Sequence, residues 1–315
     1  MNHHCHDRWP ISLWGSSAAA TLAPGVALST LAVFPHSCYL QATNQSIVCL
    51  LDHFNEPGPL HVLCRLPATF TWTTRISPGT KAQMTAAGLL LEGCGFLPTQ
   101  QSTIWQPTHA PLPRLEDWQT GLINLQICLN EHQSEDRRSA QQAGLGVLIP
   151  YLFADTLAAF TSAKPNLNPA TAAAALAGVQ AIRDWLYSGA VDHWRAPDSV
   201  IRLLGLGPGL TPSGDDFLTG LLVGLHSLNR HNSANQLANQ LLPEAFAKTN
   251  VLSLAYLRCA AVGQASAPLH RLLYALGTNK ADLPLALAAL LNTGYSSGWD
   301  SLTGVILASL AHARQ

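Results

Sequence analysis

The chain has 315 residues, a formal net charge of −1 at neutral pH, and 11% charged against 48% hydrophobic residues. That length accommodates two domains with real cores, and the charge balance leaves no electrostatic footprint for nucleic acid. So low a charge density points to large buried surfaces, a subunit interface among them.

The N-terminus is polar. His3, His4, Cys5 and His6 have metal-ligating side chains, but a polar tail is the favoured reading of that cluster. Ser16 to Phe34 is apolar, yet Pro24, Gly25 and Ser29 interrupt it and no Lys/Arg cluster precedes it. Neither a secretory leader nor a membrane span is therefore expected. The seven cysteines, Cys5, Cys38, Cys49, Cys64, Cys94, Cys128 and Cys259, form no CxxC and are odd in number. That pattern argues for a reducing compartment, hence the cytoplasm, over a disulfide framework or zinc ribbon.

From Val26 to Phe70, short β-rich runs alternate with turn residues: VALSTLAVF, CYLQAT, IVCLLDH and HVLCRL. Glu56-Pro57-Gly58-Pro59 and Ser77-Pro78-Gly79 are turn signals. A Pro-studded connector from Pro98 to Pro113 follows, and the period then becomes helical. Leu115, Trp118, Leu122, Leu125 and Leu129 trace an apolar stripe. Asn168-Pro169 opens an Ala-rich helix that Gly189 ends. Further helices are predicted at Ser199–Leu204, Pro212–Asn229, Ala234–Ala247, Val251–Val262, Leu269–Leu276, Pro284–Leu291 and Trp299–His312. The expected fold class is α+β, with a small N-terminal β-rich domain followed by a C-terminal α-helical bundle. The boundaries read as an N-terminal arm at 1–21, the β-rich domain at 22–110 and the helical domain at 111–315.

The helical part contains a repeat. Ser213 to Gly220 reads SGDDFLTG and Ser297 to Gly304 reads SGWDSLTG, identical at six of eight positions. The first copy begins inside a longer run, GLGPGLTPSGDD (Gly205 to Asp216), and the second follows a shorter loop, NTGYSSG. Thr211 suits an N-cap and Pro212 the first helical position. Ser213, Gly214, Asp215 and Asp216 then occupy a first turn whose free N–H groups favour negative charge. Asp216, Thr219, Gly220 and Val223 share one helix face, and Asp300, Thr303 and Gly304 repeat its first three positions. Gly220 and Gly224 permit another helix to approach that face closely. Gly205, Gly207 and Gly209 supply positive φ or close approach to a ligand. Two explanations compete: tight packing and stabilised helix starts alone, or two helix starts converging on a small polar ligand.

GLGPGLTPSGDDFLTG, SLAYLRCAAVGQASAPL (Ser253 to Leu269) and GYSSGWDSLTG (Gly294 to Gly304) together resemble the AllH family. That family includes the H subunit of bacterial oxamate carbamoyltransferase. The resemblance is strongest over residues 200–310 and implies a subunit of a heteromeric enzyme of allantoin (purine) degradation. Such an enzyme moves a carbamoyl group between carbamoyl phosphate and oxamate on one side and oxalurate and phosphate on the other. On this reading Asp216 and Asp300 are the catalytic candidates. The ligand-binding candidates are Gly207, Gly209, Thr211, Ser213, Gly214, Asp215, Thr219, Arg258, Ser297, Gly298 and Thr303. The expected partners are a small-molecule substrate and other protein subunits, with no nucleic acid and no membrane.

Other features fit less well. Arg258, read as buried in a poorly charged helix, wants an anion or a carboxylate such as Asp216 or Asp300 as partner. His270 and Cys259 read as packed residues, and Ser213 has neither a GxSxG elbow nor an obvious base. The chain lacks the Ser-x-Arg-Thr-Arg string of classical carbamoyltransferases and a Walker A loop. Asp215 and Asp216 repel a phosphate unless they are protonated or bridged by a cation such as Mg²⁺, which is the one cofactor this pattern suggests. Two alternatives therefore stand beside the transferase subunit. One is a non-catalytic assembly or ligand-binding subunit; the other is a metal-dependent hydrolase using the paired aspartates.

Overall fold

Alternating burial marks strands of the first part of the chain: Cys38, Leu40 and Ala42 in one, and Ala82 and Met84 in another, face inward between more exposed neighbours. The computed structural model describes residues 7–107, 113–131, 135–160, 168–189, 194–278 and 280–314, so the His3–His6 cluster lies outside the described residues. The chain splits into two units, Met1–Pro107 and Thr108–Gln315.

The first unit is a closed barrel in the order β1-β5-β4-β3-β2-β6-β7-β8. Its strands are β1 (Asp7–Gly15), β2 (Ala27–Phe34), β3 (Ser37–Ala42), β4 (Ile47–Asp52), β5 (His61–Cys64), β6 (Lys81–Thr85), β7 (Gly88–Leu91) and β8 (Cys94–Trp105). Two short helices, α1 (Ser16–Thr21) and α2 (Trp72–Arg75), belong to the same unit. This corrects the expected small β-rich domain. Four strands read between Val26 and Phe70 leave two open edges, and closure comes from strands without a clean period-two signal.

The closing strand β1 runs antiparallel to β5 and parallel to β8. Its sequence, DRWPISLWG, contains a proline, and β8 passes through Pro98, which the sequence places in a connector. The carbonyl of Pro10 accepts from Arg65 N–H at 2.8 Å, and Pro98 sits at the register shift between Ile11 and Leu13. There the Ser102 hydroxyl bonds the Ile11 carbonyl at 2.5 Å. Inside the barrel Trp9, Phe70, Trp72 and Phe96 meet with ring centroids 4.9–5.5 Å apart.

The second unit is helical. It comprises α3 (Leu115–Glu131), α4 (Glu135–Gln142), a 3₁₀ turn at Leu145–Leu148, α5 (Ile149–Phe153), α6 (Pro169–Ser188), α7 (Asp198–Ile201) and α8 (Ser213–Ser227). Then follow α9 (His231–Lys248), α10 (Val251–Ala260), α11 (Ala267–Gly277), α12 (Leu283–Leu291) and α13 (Ser297–Ala313). The Asn168 side chain caps α6 by accepting from Ala170 N–H at 2.8 Å, and Gly189 ends it at φ 67°. On α3, Trp118, Leu122, Leu125 and Leu129 are buried while Leu115 is 38% exposed.

At the centre lie α8 and α13, buried on nearly every side. Their contact is backbone on backbone. A Cβ added to Gly220 would fall 1.9 Å from the Ser301 carbonyl oxygen, and one on Gly304 would fall 2.1 Å from that of Phe217. Phe217 and Ser301 occupy the same position in the two motif copies, so the crossing is reciprocal. The helices meet where each has no side chain.

Gly220→Val is expected to lower stability by about 1–3 kcal/mol at the least, because a rigid carbonyl occupies the space the side chain needs. A thermal melt reads this, and an unchanged midpoint would contradict the crossing. Gly304→Val is expected to behave alike.

Candidate functional site

The reciprocal crossing brings the starts of α8 and α13 side by side, and with them the serine and aspartate of each motif copy. The hydroxyl of Ser213 hydrogen-bonds the carboxyl of Asp300, and the hydroxyl of Ser297 hydrogen-bonds that of Asp216. Each helix start thus serves the aspartate of the other. Thr211, expected as the N-cap, is not one: Pro212 holds that position and α8 begins at Ser213. The Thr211 hydroxyl instead meets the Ser297 hydroxyl at 3.1 Å and supports Asp216.

The two copies differ in what lies around their aspartates. Asp300 is fully buried. Its Oδ1 accepts from the backbone N–H of Leu145 at 2.5 Å, and the Gly146 amide and the Ser296 hydroxyl add further hydrogen bonds. An added Cβ at Gly144 would fall 2.2 Å from Oδ1, so only glycine fits there. Asp216 is only partly buried, as are Thr211, Thr219 and Ser297. Hydroxyls alone support its carboxyl. In both residues the Oδ2 atom is buried without a hydrogen-bond partner. Among the described residues neither carboxyl has an ion-pair partner.

The adjacent Asp215 has a different task. It is 2% exposed, with one oxygen accepting from Gly205 N–H at 3.0 Å and the other from the Thr249 hydroxyl. Asn250 completes the fastening: its amide donates to the Leu210 carbonyl at 2.8 Å while its oxygen caps α10 through Leu252 and Ser253 N–H. The loop from Gly205 to Pro212 is thereby pinned to the junction of α9 and α10. Gly205 turns at φ 70° with its Cβ position 2.2 Å from the Lys248 carbonyl oxygen, and both facts demand glycine. Asp215 and Asp216 therefore do not present a common face to a cation.

Several helix-start amides are spent within the fold. Gly214 N–H donates to the Leu206 carbonyl at 2.9 Å and Gly298 N–H to that of Thr293 at 3.0 Å. Both glycines also lie against backbone, with Cβ positions 2.0 Å from Leu203 O and 2.1 Å from Leu290 O. Gly207 packs on Ser213, its Cβ position 3.1 Å from the Ser213 nitrogen, while Gly209 has open space around it. Thr303 is fully buried and donates to the Trp299 carbonyl at 2.8 Å. Arg258 is exposed on α10, correcting the expectation of a buried cation. His270 Nε2 accepts from Ala265 N–H at 3.1 Å inside the core. What reaches the surface at the helix starts is a set of hydroxyls around one carboxyl.

Three contributors escaped the sequence reading. Gly144-Leu145-Gly146 form the wall behind Asp300, and Thr249 and Asn250 anchor the loop. A GLG string before an apolar run and an Asn-x-x-Ser helix start were the available signals. Among the described residues no helix is long and apolar enough to cross a membrane, and no group of three or more His, Cys, Asp or Glu side chains could hold a metal ion.

Burial pushes the Asp300 pKa up to about 7, with its hydrogen bonds pulling the other way. Asp216 is raised well above the ordinary range by burial first and by the charge of Asp300 second. A folded-state pKa above the unfolded value means that the folded protein binds the extra proton. Stability is then fully present below about pH 4 and falls as pH rises through about 7, by at most about 1.4 kcal/mol per pH unit for one proton. Chemical denaturation between pH 4 and 8 reads that slope, and Asp300→Asn is expected to flatten it. An equal slope in the variant would show that another group carries the effect.

No solved structure matches the chain. Residues 203–309 match the AllH family model, described as oxamate carbamoyltransferase subunit AllH, and both motif copies with the core of the site fall within that stretch.

Proposed function

We propose that this chain is a subunit of a heteromeric carbamoyltransferase of the oxamate type, and that its helical unit holds a small polar ligand at the paired helix starts. The family match to residues 203–309 supports the subunit reading. The observation that carries the site is the exchange of Ser213 and Ser297 between the two aspartates, which leaves Asp216 as the partly accessible carboxyl.

The chemistry of the donor set favours an amide over a phosphate. A phosphate wants free N–H groups or cations. Here Gly214 and Gly298 spend their N–H groups on loop carbonyls, and Arg258 is exposed on α10. An amide such as that of oxamate offers N–H groups to a carboxyl and a carbonyl oxygen to hydroxyls. Asp216 would take the N–H, and Thr211 and Ser297 would meet the carbonyl or orient Asp216. In the reaction the amide nitrogen bonds the carbamoyl carbon, the carbon–oxygen bond to phosphate breaks, and the nitrogen loses one proton. The carbamoyl phosphate end would then belong to partner subunits.

The test is carbamoyl transfer by the chain assembled with its partner subunits. Asp216→Asn is expected to fold, since Asn is isosteric and tolerated in a first turn. It is expected to lose about 100-fold or more in transfer rate, as the loss of a charge-assisted contact to the reacting group does. Full activity with a lowered melting point would leave only a structural role for the motif, as in an assembly subunit. Metal-dependent hydrolysis by the isolated chain would favour the hydrolase instead.

A further inference from the structure

Two hydroxyls serve Asp216, and they are held in different ways. Ser297 opens α13, while Thr211 lies in the loop ahead of α8. The Thr211 hydroxyl nevertheless stays 3.1 Å from that of Ser297 and supports the Asp216 carboxyl. On its C-terminal side Pro212 supplies a ring-fixed φ of −54° at the N-cap of α8. The N-terminal side offers little of its own. Gly207 and Gly209 turn at φ 106° and 102°, Gly209 has open space about it, and Leu210 is 45% exposed. Neither backbone stiffness nor apolar burial fixes that approach to Thr211.

Asn250 closes that gap. Its amide donates to the Leu210 carbonyl at 2.8 Å, and that carbonyl belongs to the rigid peptide plane leading into Thr211. With the plane tethered on one side and the proline ring on the other, Thr211 is held from both directions. The Ser253 hydroxyl reaches the same carbonyl at 3.5 Å, a longer and weaker contact. The other half of Asn250 is anchored in turn. Its oxygen accepts from Leu252 and Ser253 N–H at 2.9 and 3.0 Å and so caps α10. One side chain thus joins the first turn of α10 to the residue before Thr211. Asn250 is exposed, so water replaces a lost bond at little cost in stability. Water satisfies the carbonyl without locating it.

We propose that Asn250 is a positioning residue of the ligand site, holding the Thr211 hydroxyl on Ser297 and Asp216 through the Leu210 carbonyl. Its two halves have separate tasks: the oxygen caps a helix and the amide sets the site. A residue that caps but has no amide keeps the fold and loses the positioning. The inference rests on the site proposed above but not on the reaction assigned to it.

The experiment separates the two halves with Asn250→Ser, which keeps an N-cap oxygen and removes the amide, beside Thr211→Val and the double variant. The readout is the titration of the Asp216 carboxyl in the full chain without substrate. It is followed by NMR on protein labelled with ¹³C at aspartate carboxyls, with Asp216→Asn to assign the signal. A hydroxyl donated to the ionised carboxyl lowers its pKa, so losing Thr211 moves the titration to higher pH. Asn250→Ser and Thr211→Val are each expected to raise the midpoint by about 1 pH unit. The melting temperature of Asn250→Ser is expected to stay close to wild type. The double variant is expected to shift no further than Thr211→Val, because both changes remove the same contact. An unmoved titration in Asn250→Ser would overturn the proposal, and so would an added shift in the double variant. Asn250→Thr, which also caps, takes its place if the serine variant does not fold. In an active assembled complex, Asn250→Ser is expected to raise the oxamate KM several-fold with kcat within about twofold of wild type. An unchanged KM there would count against it equally. If no carbamoyl transfer is found, or Asp216→Asn is fully active, the proposed reaction fails while the titration still decides on Asn250.

Discussion

Everything at the site depends on two glycines lying against two carbonyls. Gly220 on the Ser301 carbonyl and Gly304 on the Phe217 carbonyl let α8 and α13 touch backbone to backbone in the middle of a helical unit. Any side chain at either position would push the axes apart, since packed interiors do not absorb such volume. The cost would be more than packing. The hydroxyls of Ser213 and Ser297 reach across to Asp300 and Asp216 only because the helix starts are held that close. The aspartate one turn before each glycine inherits its position from that glycine.

Repetition with a difference makes a site of this crossing. The second copy is closed: Asp300 is enclosed by its own loop serine, by the Ser213 hydroxyl and by the amides beyond Gly144. The first copy has a longer loop, which Asp215 and Asn250 tie back onto the α9–α10 junction instead of over Asp216. Asp216 stays partly accessible as a result, with hydroxyls on its flanks. One copy became a wall and the other a mouth. The difference lies less in the motif residues than in what their neighbours do.

Much of this was legible in the sequence, and the exceptions have physical causes. The helical elements follow from apolar period and caps: Asn168-Pro169 and Gly189 bound α6 where they should. The recurrence of SGxD with its glycine four residues on pointed to two helix faces in contact. The barrel was not legible, because its closing strand carries Pro10 and irregular alternation, and β8 runs through Pro98 at a register shift. Closure is a property of pairing between distant strands, which a local window does not contain. Arg258 misled for a related reason. A lone cation in an apolar helix looks buried until the helix's exposed face is known, and Arg258 sits on that face.

The low charge density of the chain takes on a local meaning at the helix crossing. A site that must hold two carboxyls in a nearly uncharged interior has three physical options: cations, a metal, or donors and protons. Among the described residues the first is missing around Asp216 and Asp300, and no side-chain cluster suited to the second is found. The third is built in, through hydroxyls on Asp216 and through hydroxyls plus backbone amides on Asp300. That division also places part of the site outside the matched stretch 203–309, because Gly144-Leu145-Gly146 lie well before it. The paired motif supplies the two acids. The wall that makes one of them inaccessible, and so leaves the other to meet a ligand, comes from a 3₁₀ turn that the motif alone does not announce.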